Sequence, residues 1–124
     1  MSREAVELVK AIYERWQRGD AAPELLDPDI EWSTPHPDAL GVHGREEVLA
    51  FLRRYVGAFQ DFHIQLDEIR DLGDQRVLVR FSERGRGKSS GVETHLRATG
   101  VWTVRDGRAI RFRAETDRAA KPSA

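Results

Sequence analysis

Val101-Trp102-Thr103-Val104-Arg105-Asp106-Gly107-Arg108-Ala109-Ile110-Arg111-Phe112-Arg113 is the stretch from which the rest of the chain is read. Asp-Gly between two alternating runs is a strong signal for a two-residue hairpin, because both central residues of that tight turn take positive φ. Past the turn, Ile110, Phe112, Ala114 and Thr116 share one register, and Arg111, Arg113 and Glu115 share the other. Such a hairpin buries one face and charges the other. Working back, its first arm covers 93–104. Val77 to Phe81 forms an earlier strand, and Phe62, Ile64, Leu66 and Ile69 mark one before it. Gly73-Asp74 separates those two, while 85–91, rich in Gly, Ser and basic residues, reads as a longer mobile loop. The second half of the chain is thus four strands joined as a meander, the last running from 109 to about 117.

The first half has the period of helices. Over 2–18, Ala5, Leu8, Val9, Ile12 and Trp16 form one stripe, with Glu4, Glu7, Lys10, Glu14 and Arg18 on the other faces. Ser2 is placed as its N-cap and Gly19 as its left-handed stop. Pro23 opens a short turn. Asp29-Ile30-Glu31-Trp32-Ser33-Thr34-Pro35 then alternates as a short strand ended by Pro35 and Pro37. A second helix is expected over 45–59, with Val48, Phe51, Leu52, Tyr55 and Phe59 as its stripe and Gly44 as its cap. Helices first and strands last predict an α+β domain, its helices packed on one face of a mostly antiparallel sheet. A single domain over 1–118 with a loose polar tail over 119–124 fits this pattern. One strand–helix–strand passage is too few for a dinucleotide-binding fold.

Composition narrows the function. The 124 residues hold 20 Lys and Arg against 21 Asp and Glu, a net charge of −1, which argues against nucleic-acid binding by bulk electrostatics. The absence of Cys removes disulfides, thiol catalysis and thiolate metal sites. No apolar run reaches the length of a membrane span, and the charged start Met1-Ser2-Arg3-Glu4 is unlike a signal peptide, so a cytoplasmic protein without membrane contact is expected. No metal or cofactor is called for. Histidines and carboxylates do not fall at ligand spacing, and Gly87-Lys88-Ser89 lacks the earlier glycine of a phosphate loop, since position 82 is Ser82.

The ordered pieces Tyr13-Glu14-Arg15-Trp16-Gln17-Arg18-Gly19-Asp20, Leu25-Leu26-Asp27-Pro28-Asp29-Ile30-Glu31-Trp32, Gly41-Val42-His43-Gly44-Arg45-Glu46-Glu47-Val48, Val101 to Arg108 and Arg111-Phe112-Arg113 resemble the SnoaL-like branch of the nuclear transport factor 2-like superfamily. The resemblance runs over about 4–118. It implies a cone in which a strongly curved sheet wraps around the helices and leaves a central cavity, with a homodimer through the outer sheet face. Relatives include ketosteroid isomerase, limonene epoxide hydrolase, polyketide cyclases and non-catalytic binding proteins, so the fold alone names no reaction.

Carried over by position, the ketosteroid isomerase residues are missing. The oxyanion tyrosine falls on Ile12, the base on Thr34 and the second acid on Gly100, and Tyr13 stands one step, about 100°, around the helix. No confident match exists for the epoxide hydrolase set. The resemblance to polyketide cyclases implies an acid/base role for Asp117, whose pKa an apolar cavity would raise. Alternation turns it outward unless a bulge intervenes, and it could instead end the strand beside Arg113 or Arg118. His36 and His43 lie in the Pro-rich loop at the expected rim, where either could titrate near neutrality or be a solvated loop residue. His63 and His95 fall opposite the apolar registers.

Trp16, Trp32, Tyr55, Phe59, Trp102 and Phe112 all fall inward, as core or as the lining of a pocket for a flat or apolar molecule. Tyr13 and Thr34 join them as expected ligand-binding positions, and His36 and Asp117 are the acid/base candidates. The resulting expectation is a cavity that binds a hydrophobic or aromatic small molecule, with any chemistry being cofactor-independent proton transfer of isomerase, cyclase or hydrolase type. The alternative is a non-catalytic dimeric ligand-sensing or accessory domain. Arg97, Arg111, Arg113 and Glu115 mark the outer face, either solvated or a dimer seam tied by cross-strand ion pairs, and a dimer is expected.

Overall fold

The computed structural model describes residues 3–36 and 39–116, and places two helices against one six-stranded sheet. Helix α1 spans Arg3–Gln17, and a single 3-10 turn, Pro23–Leu25, leads into strand β1, Leu26–Ser33. Strand β2 is Val42–His43, and helix α2 is Arg45–Gly57. The meander follows as β3, Phe59–Gly73, β4, Arg76–Gly87, β5, Glu93–Arg105, and β6, Arg108–Thr116. The expected N-cap Ser2, the strand stop Pro37, Asp117 and the tail from Arg118 lie outside the described residues. Among the described residues no helix is long and apolar enough to cross a membrane.

The sheet order is β2-β1-β6-β5-β4-β3. Every pairing is antiparallel except β1 with β6, where Trp32 lies beside Phe112. Asp106 and Gly107 take φ of 52° and 76°, the two positive values that the tight hairpin requires. The turn from β3 to β4 is built the same way on Asp74 and Gln75, one position later than Gly73-Asp74 implies. Period-two alternation then sorts the faces. On β4, Val77, Val79 and Phe81 are buried, and on β5, Ala98, Trp102 and Val104 are. Arg97, Arg111, Arg113 and Glu115 are exposed on the outer face, as are His63 and His95.

Four boundaries differ from the sequence expectation, each for a local reason. Strand β1 begins at Leu26, and a register shift between Leu26 and Glu31 accommodates Pro28 within it. Helix α2 stops at Gly57, so Phe59 opens β3 rather than closing the helix. Strand β4 continues to Gly87, with Gly85 opposite Thr94 and Arg86 opposite Glu93, which shortens the expected 85–91 loop to a turn. Gly85 is there for space. A Cβ at that position would lie 3.0 Å from the Phe59 ring, so a side chain would displace the ring from the sheet. Finally, His43 is on the edge strand opposite Glu31 and exposed, away from the cavity rim.

The core lies between the helices and the concave face. Ala5, Val9, Ile12 and Tyr13 of α1 and Val48 and Phe51 of α2 pack onto Ile30, Trp32, Val77, Val79, Trp102 and Phe112. Tyr13 is buried beside Ile12, so the buried stripe of α1 is one residue wider than its Leu8-to-Trp16 reading suggests. After α1, Arg15 gathers the chain. It pairs with Asp20 at 2.7 Å and with Glu24, while the Trp16 indole donates to the Ala21 carbonyl at 3.1 Å. The Arg15 guanidinium holds both Glu24 and Asp20 below the usual carboxylate range.

Candidate functional site

The curvature of the sheet leaves a half-enclosed cavity of about 810 Å³ between α1, α2 and the inner face of β3 to β6. Its position follows from residue size. Where β5 carries Gly100 the Phe112 ring closes the space, and a Cβ there would lie 2.6 Å from Phe112 Cε1. Where β5 carries Leu96 and Ala98 the wall recedes and the cavity opens.

The closed end is a cluster of aromatic rings packed at tilted and edge-to-face angles. Trp102 lies 4.4 Å from Phe112 and 5.7 Å from Trp32 between ring centroids, and Trp32 lies 4.6 Å from Phe112. Trp102 is fully buried, and its indole donates to the Tyr13 hydroxyl at 3.2 Å. Among the described residues no acceptor stands within reach of the Tyr13 O–H itself, and the Trp32 indole N–H is also buried without a partner. Burial raises the Tyr13 phenol, the Trp102 bond pulls it down, and the charge of Glu83 raises it again.

The wall nearer solvent carries the polar side chains. Glu83 projects from β4 on the same side as Phe81, half-buried, and accepts a 2.6 Å hydrogen bond from the Tyr55 hydroxyl. No cation pairs with it among the described residues. Its partial burial raises the Glu83 carboxyl, and the Tyr55 bond offsets part of that rise. Burial and then the Glu83 charge raise Tyr55 in turn. His36 reaches the cavity from the loop after β1, its ring 5.3 Å from Phe51 and 5.6 Å from Tyr55. Asp20, the other carboxylate on the lining, is tied to Arg15 and to the Ala22 N–H.

Tyr13, Trp16, Trp32, Thr34, His36, Tyr55 and Phe112 therefore converge on one cavity as the sequence suggests. Two expected members do not. Trp102 is inward but behind the lining, because Tyr13 covers it. Phe59 stands beyond Tyr55 and Phe62, packed on Gly85, because it starts a strand. The acid/base candidate Asp117 lies outside the described residues. Tyr13, one step from the isomerase position, nonetheless reaches the cavity, because both it and Ile12 face the sheet. Glu83 escaped the sequence reading because the strand was ended at Phe81. Extending the register Val77, Val79, Phe81 by one pair would have placed Glu83 inward. Among the described residues no group of three metal-ligating side chains occurs.

The model of the SnoaL-like domain matches residues 9–112. Among solved structures, a nuclear transport factor 2-like protein of unknown function from Burkholderia pseudomallei is 27% identical, with TM-score 0.80 over 94% of this chain and 92% of its own. A nuclear transport factor 2-like protein from Burkholderia thailandensis is 25% identical, with TM-score 0.83 over 93% and 92%. TerC co-crystallized with polyporic acid is 22% identical, with TM-score 0.78 over 94% and 94%. None of the curated proteins matches the sequence.

Proposed function

The chain belongs to the SnoaL-like family, and on that premise we propose that its cavity binds a flat, largely apolar small molecule and performs proton-transfer chemistry on it. The observation that carries this reading is the 810 Å³ space itself, walled by Tyr13, Trp16, Trp32, Phe81 and Phe112 and holding one half-buried carboxyl without a cation. A space of that size accommodates a two- or three-ring compound, and aromatic walls contribute both apolar contact and stacking. TerC, on the same fold, was co-crystallized with a small molecule, polyporic acid, which supports the binding reading. A half-buried carboxyl that rests on one tyrosine hydroxyl, with no cation paired to it among the described residues, favours this reading over a passive accessory domain.

Calorimetric titration with 2-naphthol tests the binding. Saturable heat of one site per chain is expected, and Ala98→Phe, which fills the recess on β5, should abolish it while leaving the circular dichroism unchanged. Absence of binding to wild-type protein would overturn the reading. We further propose a twofold dimer through the outer face of the sheet, the commonest closed assembly. Elution as a monomer across micromolar concentrations would count against that assembly.

A further inference from the structure

Resting on the reading that the cavity binds a flat, largely apolar molecule, we propose that this molecule carries a protonated amine and that Glu83 is its counter-ion. The neighbours of Glu83 carry the argument. Its cross-strand partners are Ile64 on β3 and Leu96 on β5, both apolar and both on the cavity lining. From α2 the Tyr55 hydroxyl donates to Oε1 at 2.6 Å, and Oε2 has no donor among the described residues. Other carboxylates of the same sheet are matched by charge. Glu31 meets Arg111, Glu68 meets Arg70 and Arg80, and Glu93 meets Arg86. Glu83, on the apolar inner face, meets no cation among the described residues. A half-buried carboxylate is costly without a partner for its charge, and an ammonium ion supplies one together with a charge-assisted hydrogen bond.

The rings on the same lining act in the same direction. Trp16, Phe62 and Phe81 share the cavity with Glu83, and aromatic faces attract an organic cation. An anionic group would meet the Glu83 charge, and a neutral hydroxyl would leave that charge uncompensated. A metal ion needs several ligands, and no group of three ligating side chains occurs among the described residues, so the cation is organic. Because this part of the wall lies nearer solvent, the remaining N–H donors of the ammonium keep their water. Besides Tyr55, the titratable and charged groups that line the cavity with Glu83 are Tyr13 from α1, Asp20 after it, His36 from the loop and Arg53 from α2. Asp20 is already paired with Arg15. Arg53 is exposed, so water and salt screen it. Glu83 is thus the lining carboxylate open to a ligand.

Calorimetric titration of the full chain with 2-(aminomethyl)naphthalene and with 2-(hydroxymethyl)naphthalene, its neutral isostere, tests the proposal. At neutral pH the wild-type protein should bind the ammonium compound about tenfold more tightly than the alcohol, or better, the scale of a hydrogen bond to a charged group. Affinity for the ammonium compound should rise as pH climbs above about 4.5 and Glu83 ionises, while affinity for the alcohol stays level. Glu83→Gln should abolish both the preference and the rise. Glu83→Asp, which keeps the charge on a shorter arm, should retain part of the preference. Tyr55→Phe should move the rise to higher pH, because the Tyr55 bond lowers the Glu83 carboxyl. Equal or tighter binding of the alcohol by wild-type protein overturns the ammonium class and leaves small-molecule binding standing. Binding of neither compound overturns both. A preference or a rise with pH that survives in Glu83→Gln with unchanged circular dichroism belongs to another group, such as His36, and overturns the role of Glu83. Tighter binding of 2-naphthoate than of the ammonium compound moves the selection to Arg53 and overturns it as well.

Discussion

Two aromatic clusters stand at opposite ends of the inner face of the sheet. At the closed end Trp102, Phe112 and Trp32 fill their space so completely that β5 can carry only Gly100 beneath them. At the open end Phe51, Tyr55 and Phe62 stand around a carboxyl and a histidine, and the space between is left empty. Residue types are nearly the same in both. What separates them is the neighbour on β5, a glycine that lets a ring in or an alanine on the cavity lining, and the polar side chain that β4 adds at Glu83. Aromatic content therefore marks where an interior is, and the small and charged residues beside it decide whether it is core or site.

Substitutions at the closed end should break the fold before they touch the function. Trp102→Ala removes the largest fully buried side chain and strands the Tyr13 hydroxyl, with an expected loss of about 3–5 kcal/mol in chemical denaturation. Gly100→Ala drives a methyl against Phe112, with an expected loss of about 1–3 kcal/mol and a matching drop in the melting temperature.

At the open end the expected effects on stability are smaller and depend on pH. Glu83 has a folded-state pKa above its unfolded value of 4.5, so the folded state holds its proton more tightly. Its contribution is fully present below that unfolded value and is lost as pH rises through the folded one. Wild-type protein should therefore lose stability relative to Glu83→Gln as pH climbs from about 4 upward, and parallel melts of the two proteins across pH should diverge in that sense. Parallel curves would mean that Glu83 is as well solvated folded as unfolded. The smallest effect is expected for Trp32→Phe. It keeps one aromatic ring and removes the five-membered ring with its unpartnered N–H, so relief of that donor offsets part of the lost packing and the unfolding free energy should stay within about 1.5 kcal/mol of wild type.

The same contrast explains what could be read from the sequence. Asp106-Gly107 declared its hairpin because the backbone of that turn admits few residues, and the α1 and α2 stripes declared their helices because burial repeats with the helix period. Alternation correctly turned Trp102 inward, yet register reports the face of a residue and not its depth, so Tyr13 covering Trp102 was invisible. Phe59 follows Tyr55 at helical spacing, and only Gly57 between them hinted that the helix had ended. Gly85 resembled a loop residue, though its role is to make room for Phe59. Glu83 was legible in period but hidden in character, because a charged residue after an apolar run reads as the end of a strand. A site is where polarity departs from pattern, so pattern alone passes over it.

The parallel seam between β1 and β6 also governs the order in which the molecule can be assembled. Strands β3 to β6 each pair with the strand next in sequence, so their contacts close over short loops. Trp32 and Phe112 meet only across eighty positions of chain. Closing so long a loop is entropically slow and must await the synthesis of β6. During synthesis α1 and β1 precede β6, so Trp32 lacks its Phe112 neighbour until β6 arrives. Strand β1 is thus the part of the sheet that gains its neighbour latest relative to its own synthesis, although Ile30 and Trp32 are among the best buried residues once folded.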